Sequence, residues 1–434
     1  TRDNLRQVTD PDGLNTVYTY DGRNRETGLS SPDTGSHAYT YDATGNRVSD
    51  TDARSITKTL TYDPLNRLIA LDYPTSSLAV RYHYDEPNGT TGCASSWPVG
   101  RLTSMTDSTG STVYCYDRRG NVIEKAQTVG SALLDQKATY TLGDRMATLT
   151  YPSGGVASYG RDSLGRVISV SWKATPSSST VSVVSAVTYD PFGPLHELTF
   201  GSGRTQTRDR DLDDHLTAIT SSALDGFTLD VTMDLKGRLT EASTSLAPSV
   251  PDRRYSYDAL DRLLAVEDGA TSTPWETYTY NKTGDRQSAS LGAASPTPYS
   301  YTPGTHHLVG VGAVPRTLDA AGNTLTGASP VALGYNDANR LETAGGATYG
   351  YDGMNARAIK TVASASTLFT YGQDHLLGEY DATGTPQTEY LYLDDTPVGL
   401  VRGSLYEVET DQLSTPRQVF DPGRPAVVWS WDYK

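Results

Sequence analysis

Leu60-Thr61-Tyr62-Asp63-Pro64-Leu65-Asn66-Arg67-Leu68-Ile69-Ala70-Leu71 contains the pattern on which the rest of the chain is built. Leu60-Thr61-Tyr62 reads as a short strand. Asp63-Pro64-Leu65-Asn66 supplies a turn whose carboxylate can accept local backbone N–H groups, and Arg67 onward starts a second strand. The unit is therefore a hairpin. Its signature is an aromatic residue, an Asp, turn residues, then Arg or Asn and an apolar residue.

The signature recurs as Tyr20-Asp21-Gly22-Arg23-Asn24-Arg25, Tyr41-Asp42-Ala43-Thr44-Gly45-Asn46-Arg47 and Tyr257-Asp258-Ala259-Leu260-Asp261-Arg262-Leu263. Looser copies sit at Tyr84-Asp85, Tyr116-Asp117, Tyr189-Asp190, Tyr280-Asn281, Tyr335-Asn336 and Tyr351-Asp352, with degenerate ones near Thr141, Asp211 and Asp319. The Asp-equivalent positions 21, 42, 63, 85, 117, 141, 162, 190, 211, 234, 258 and 281 set a period of 21 to 24, stretched by insertions. Two strands and two turns fill one period, and a lone hairpin is marginal in water, so successive hairpins must join into one sheet. With 14 to 16 units, roughly 30 strands at ~4.8 Å predict ~140 Å of sheet measured across the strands. A sheet that wide must curl. The expected fold is all-β: a long spiralling antiparallel sheet of stacked hairpins enclosing a hollow.

Composition agrees. The 434 residues hold 29 Tyr against 5 Phe, with 40 Gly and 23 Pro, which suits tyrosine-bearing strands broken by turns. A tyrosine ring can pack along a sheet face while its hydroxyl reaches a polar turn. The net charge of −15 is the wrong sign for a general binder of nucleic acid or anionic membrane. No apolar run approaches a bilayer span, and no signal peptide opens the chain. Starting on Thr1 and stopping at Lys434, the sequence reads as a fragment or a processed piece, so missing targeting signals carry little weight.

No composition break marks a domain boundary. Residues 1–370 are expected to form repeat wall, and 371–434, where Glu389-Tyr390-Leu391-Tyr392-Leu393-Asp394-Asp395-Thr396-Pro397-Val398-Gly399-Leu400-Val401 is more apolar than the body, to form a closing or capping segment. Insertions at 86–100, 174–185, 241–251 and 288–314 read as loops on a rim or outer face.

Few residues suggest chemistry. The recurrent Asp and Arg side chains read as structural, because glycosidase work needs one particular carboxylate pair rather than a dozen equivalents. Asp10-Pro11-Asp12-Gly13, Asp190-Pro191-Phe192-Gly193 and Tyr151-Pro152-Ser153-Gly154-Gly155 read as turns, the last lacking the Lys-Ser/Thr ending of a phosphate loop. His83, His196, His215, His306 and His307 show no zinc spacing. Cys93 and Cys115, one period apart, are either bridged or free thiols. No catalytic, cofactor-binding or metal-binding residue is singled out, and no cofactor is expected.

The tandem units, together with Leu405-Tyr406-Glu407-Val408-Glu409-Thr410-Asp411-Gln412-Leu413-Ser414-Thr415-Pro416-Arg417 and Val427-Val428-Trp429-Ser430-Trp431-Asp432-Tyr433, resemble the Rhs/YD-repeat family of bacterial polymorphic toxins, toxin-complex C-type components and, distantly, teneurins. That family usually has a His-Thr-Asp-His-Leu-Gly-Thr-Pro-Arg run; here Glu409, Gln412 and Ser414 stand at its two His places and its Gly place. The resemblance implies a structural, non-enzymatic shell segment of a secreted toxin or effector, type VI effectors included. The autoprotease core and the toxin cargo would lie beyond Lys434. Implied partners are that C-terminal toxin, other pieces of the same shell, and a secretion-apparatus protein or chaperone. No nucleic acid and no membrane span are expected, and delivery by a bacterial secretion system or a cell-surface location follows. The rival readings are a glycan-binding or adhesion module stacking sugars on Trp97 and Trp275, and an enzyme on a repeat scaffold.

Overall fold

The computed structural model describes residues 4–431 except 192, 245–248, 328–330, 373–374 and 425. Among these residues are 41 strands, in sheets of 28, 2 and 11 strands. Each recorded pairing joins strands adjacent in the chain and is antiparallel, as in Thr57–Tyr62 with Leu68–Asp72 and Ser404–Thr410 with Pro416–Asp421. The strand count exceeds the expected 30 because strands such as Val314–Pro315 and Thr396–Arg402 continue the meander where the signature fades. Among the described residues the only helical pieces are single turns at Ser76–Leu78 and Asn88–Thr91, and no helix there is long and apolar enough to cross a membrane.

The repeat folds through one clamp. Asp63 Oδ1 accepts the N–H groups of Leu65 and Arg67 at 2.8 and 2.9 Å, and Oδ2 accepts Arg67 Nε at 2.7 Å. Asn66 closes the turn at φ 60°, a left-handed backbone that Asn and Gly tolerate best. The tyrosine ahead of the Asp ends its strand at a bulge, between Thr61 and Tyr62 here and at the equivalent step in other copies.

The tyrosine hydroxyl then reaches back one repeat to the carbonyl just past the previous turn. Tyr41 donates to Glu26 O at 2.6 Å, Tyr62 to Arg47 O at 3.0 Å and Tyr257 to Leu239 O at 2.7 Å. The clamp arginine lies over the next tyrosine ring: Arg25 over Tyr41 at 4.6 Å, Arg67 over Tyr84 at 4.4 Å and Arg238 over Tyr257 at 4.9 Å. Phenylalanine could take the cation but could not donate to the carbonyl, which accounts for the excess of Tyr.

The two faces of the wall differ. In Thr57–Tyr62 the threonines at 59 and 61 are exposed while Leu60 and Tyr62 are half-buried. Exposed threonines pair across strands, as in Thr139 with Thr148 at 2.6 Å and Thr279 with Ser288 at 2.7 Å.

Successive revolutions of the wall meet. Asp12 binds Asn281, 269 residues on, and Arg54 Nη1 donates to Asn336 O, 282 residues on. Ser153 binds Glu389 at an offset of 236, Ser202 binds Glu407 at 205, and Gln418 donates to Asp225 O at 193. Past Arg54 the offset falls, so from there the second revolution covers the same arc with fewer residues, hence at a smaller radius. It therefore tucks inside the first, and the tyrosine-bearing face on which it packs is the concave one. The 23 strands between Asp12 and Asn281 make a coil on the order of 110 Å around and 35 Å across.

Candidate functional site: the wall, its tucked seam and its lumen

Early in the coil the revolutions stack rim to rim through polar turns. Signature turns of the second revolution sit on the opposite-rim turns of the first. His306 donates its backbone N–H to Asp33 Oδ1, while its ring nitrogens lie 2.8 Å from Asp10 Oδ2 and 2.7 Å from Asp285 Oδ2. The hydrogen bond to Asp285, then that to Asp10, raises the imidazole pKa to about 9. Arg54 bridges to Asn336 O and Asp337 O, and Gly353 N donates to Asp107 Oδ2.

Later the second revolution packs by its face. Val183, Val184, Leu198 and Phe200 of the outer sheet share a core with Leu377, Leu391, Leu393 and Val398 of the inner one. Val129 and Leu134 likewise meet Ala358, Leu368 and Tyr380.

Buried charge lies along this seam. Glu407 and Glu409 are fully buried and share Arg204, whose Nη2 is 3.0 Å from Glu407 and Nε 3.1 Å from Glu409. Ser202 donates N–H and Oγ to Glu407, and Ser221 Oγ and Phe227 N donate to Glu409. The Arg204 guanidinium rests 3.4 Å from the Phe420 ring centre. Burial raises the Glu409 carboxyl pKa despite these donors. Glu389, held by Ser153 and by Tyr380 at 2.8 Å, is raised by burial as well.

Between the two revolutions is a cavity of about 760 Å³ lined in part by Tyr114, Lys125, Tyr140, Asp352 and Tyr392. Lys125 Nζ donates to Tyr371 O at 3.0 Å; burial lowers its pKa and raises that of Asp352. Lys125, Lys137 and Arg161 with Glu124, Asp352 and Asp394 bring both signs of charge to its lining.

The residues weighed in the sequence fall into structural places. Asp10 to Gly13 is a turn whose Asp10 Oδ1 accepts N–H groups of Asp12 and Leu14. In the turn at Asp190, Asp190 N donates to Pro194 O and Gly193 N donates to Asp190 O, and Phe192 is outside the described residues. Tyr151 to Gly155 is a turn that docks on the seam, with Tyr151 OH donating to Tyr390 O. Cys93 and Cys115, left open in the sequence, are joined in a disulfide. Asp211, Asp213 and His215 gather their ligand atoms within 4.8 Å, a juxtaposition the histidine spacing did not suggest. It is the repeat turn itself, with His215 in the arginine place and Asp211 Oδ1 accepting the N–H groups of Asp213 and His215.

Glu409 at the family His place is the buried seam carboxylate, Gln412 is exposed, and Ser414 takes the left-handed conformation (φ 59°) at the Gly place. Sequence reasoning missed the Arg204–Glu407–Glu409 cluster. Its one local signal was a pair of acids, two residues apart, inside an apolar strand.

These features define a class: a coiled β-shell wall whose side-chain chemistry is spent on holding turns and revolutions together. The RHS Repeat family profile matches residues 1–36 and 41–78, and the Teneurin YD-shell profile matches residues 214–431. The second match alone spans half of the sequence, and the chain belongs to the Rhs/YD-shell family. No curated protein sequence matches significantly. The crystal structure of TcdB2-TccC3-Cdc42 superimposes with a TM-score of 0.81 at 15% identity, covering 99% of this chain and 26% of that one. The crystal structure of TcdB2-TccC3 gives 0.76 at 13% identity, with 99% and 27% covered. The Photorhabdus luminescens Tc holotoxin pore gives 0.80 at 14% identity, with 99% and 26% covered. At these identities the likeness is one of fold, and this chain spans about a quarter of the length of the chains it matches.

Proposed function

We propose that this chain is the tapering end of a container that encloses a toxin polypeptide encoded by the same gene. The observation that carries the reading is the second revolution tucked inside the first, which narrows one end of a tyrosine-lined hollow. The mechanism is steric: a closed wall keeps a partly folded cargo from proteases and from the producing cell. Residues 1–370 serve as wall and 371–434 as the closing segment that leads toward the release machinery. The matched structures are toxin-complex assemblies, which supports a secreted or delivered shell completed by further shell pieces, with a secretion-apparatus protein or chaperone as a further partner.

The glycan-binding reading has less support. Arg118 lies 4.6 Å over the Trp97 ring and Arg253 lies 5.7 Å over Trp275, so a guanidinium already occupies one stacking face of each. The test is limited proteolysis of the full gene product. Its C-terminal toxin is expected to survive until the wall itself is cut. Digestion of that toxin at the rate of an unfolded chain would overturn the proposal.

A further inference from the structure

One signature turn that lines the cavity between the revolutions lacks half of its clamp. In the turn that starts at Asp352, Oδ1 accepts the N–H groups of Met354 and Ala356 at 3.0 and 2.9 Å, just as Asp63 Oδ1 accepts those of Leu65 and Arg67. The arginine place, four residues on, is held by Ala356, so nothing answers the bond that Arg67 Nε makes to Asp63 Oδ2. Asp352 is only 3% exposed, and among the described residues its Oδ2 has neither a hydrogen-bond nor an ion-pair partner. Lys125 is near enough to favour the charge of Asp352 but donates to Tyr371 O rather than pairing with it. Tyr371 stands at the usual strand-end bulge, yet among the described residues no guanidinium covers its ring, unlike Tyr84, Tyr189 and Tyr257 under Arg67, Arg166 and Arg238. Asp352, Ala356 and Tyr371 all line the cavity of about 760 Å³.

Elsewhere the chain meets a missing clamp arginine with a borrowed cation. Leu14 holds that place in the turn of Asp10, and His306 of the second revolution comes within 2.8 Å of Asp10 Oδ2. Ile56 holds it in the turn of Asp52, and Arg54 Nη2 donates to Asp52 Oδ2 at 2.6 Å. The electrostatics mark Asp352 as different: hydrogen bonds from Arg166 and Arg238 foremost lower the pKa of Asp162 and Asp234, whereas burial raises that of Asp352. We propose that this cavity binds a guanidinium ligand in the arginine's place, with Asp352 Oδ2 accepting its N–H group and the Tyr371 ring facing its plane. A cavity of this size takes a whole amino acid, and Lys125 and Arg161 in the same lining offer counter-charge to an α-carboxylate, which suits free L-arginine. An arginine side chain of a peptide presents the same group. The inference concerns a ligand of the wall and does not depend on what the hollow encloses.

The test is isothermal titration calorimetry of the 434-residue chain with L-arginine, with its uncharged isostere L-citrulline, and with a blocked Gly-Arg-Gly peptide. L-Arginine is expected to bind, and citrulline at least about tenfold more weakly. Asp352→Asn should weaken arginine by at least about tenfold. Ala356→Arg restores the clamp within the chain and should abolish binding while melting no lower than the parent, which separates a filled site from a lost fold. Binding of the peptide alone would support the site and assign its guanidinium to a chain rather than to the free amino acid. Equal affinity for citrulline, arginine binding undiminished in either variant, or no binding of either arginine ligand up to about 10 mM would overturn the proposal.

Discussion

Residues 10–107 and residues 127–227 belong to one outer revolution, yet they hold the inner one by different means. The first stretch meets it turn against turn, through hydrogen bonds and charges that stay partly hydrated. No described residue before Leu78 is buried. The second stretch meets it face against face, over a core that runs from Ala138 to Val398 and includes charge out of reach of water. A repeat can thus make wall without making core. Local clamps hold each hairpin, and a hydrophobic interior arises only where curvature brings a second layer onto the first.

The largest expected effect comes from the buried seam. Arg204→Met leaves Glu407 and Glu409 without their shared cation and should cost about 3–5 kcal/mol in denaturant unfolding. A loss below ~1 kcal/mol would show that the serine and backbone donors suffice, and the contrast with the rim would shrink.

Next is the disulfide, in the part of the wall with little core. Replacing Cys93 and Cys115 by Ser opens a loop closed across 22 residues and should cost about 3 kcal/mol by chain entropy. The same double change leaving the melting temperature untouched would mean that the clamps around it carry the region.

A matched pair then compares one kind of bond in the two settings. Tyr151→Phe removes a buried hydroxyl from Tyr390 O and is expected to cost up to about 2 kcal/mol, whereas Tyr62→Phe, half-exposed, should cost about 0.5–1 kcal/mol. Equal costs would say that burial makes no difference to this bond.

The smallest effects are in pH. Hydrogen bonds from Arg238 foremost bring Asp234 to about 2, and donors from Thr44, Asn46 and Gly45 outweigh desolvation to bring Asp42 to about 2. Their share of stability is present above 3.8 and is lost as pH falls toward 2. The buried Glu409 runs the other way: its folded value lies above 4.5, so the seam gains as pH falls through that raised value and has gained fully by 4.5. His306, raised to about 9, holds its rim contact fully below 6.5 and loses it as pH climbs through 9. Site-resolved exchange against pH should show rim hairpins loosening at both extremes and the seam tightening toward mild acid. Parallel profiles would remove the distinction.

The hairpin unit, the all-β spiral and the structural role of the Asp and Arg residues were legible because each rests on contacts inside one period: Asp63 meets Arg67 four residues on, and Tyr62 meets Arg47 fifteen residues back. The seam was not. Arg204 finds Glu409 across 205 residues, a meeting set by how many strands complete one revolution and by where the coil tightens. Neither quantity is written in a local motif. The cysteine spacing allowed a bridge but left free thiols as the default, and the fold of the 86–100 loop against Tyr116 brings the sulfurs together.

Pairing only between neighbours in the chain has a kinetic corollary. Every new hairpin finds its template in the strand just synthesised, so the sheet can be laid down in the order of translation with short loop searches and no waiting for distant strands. The inner layer comes last, because its docking surface must exist before it does. Closure at this end is therefore a late folding event, and whatever occupies the hollow must tolerate the geometry of an almost finished vessel.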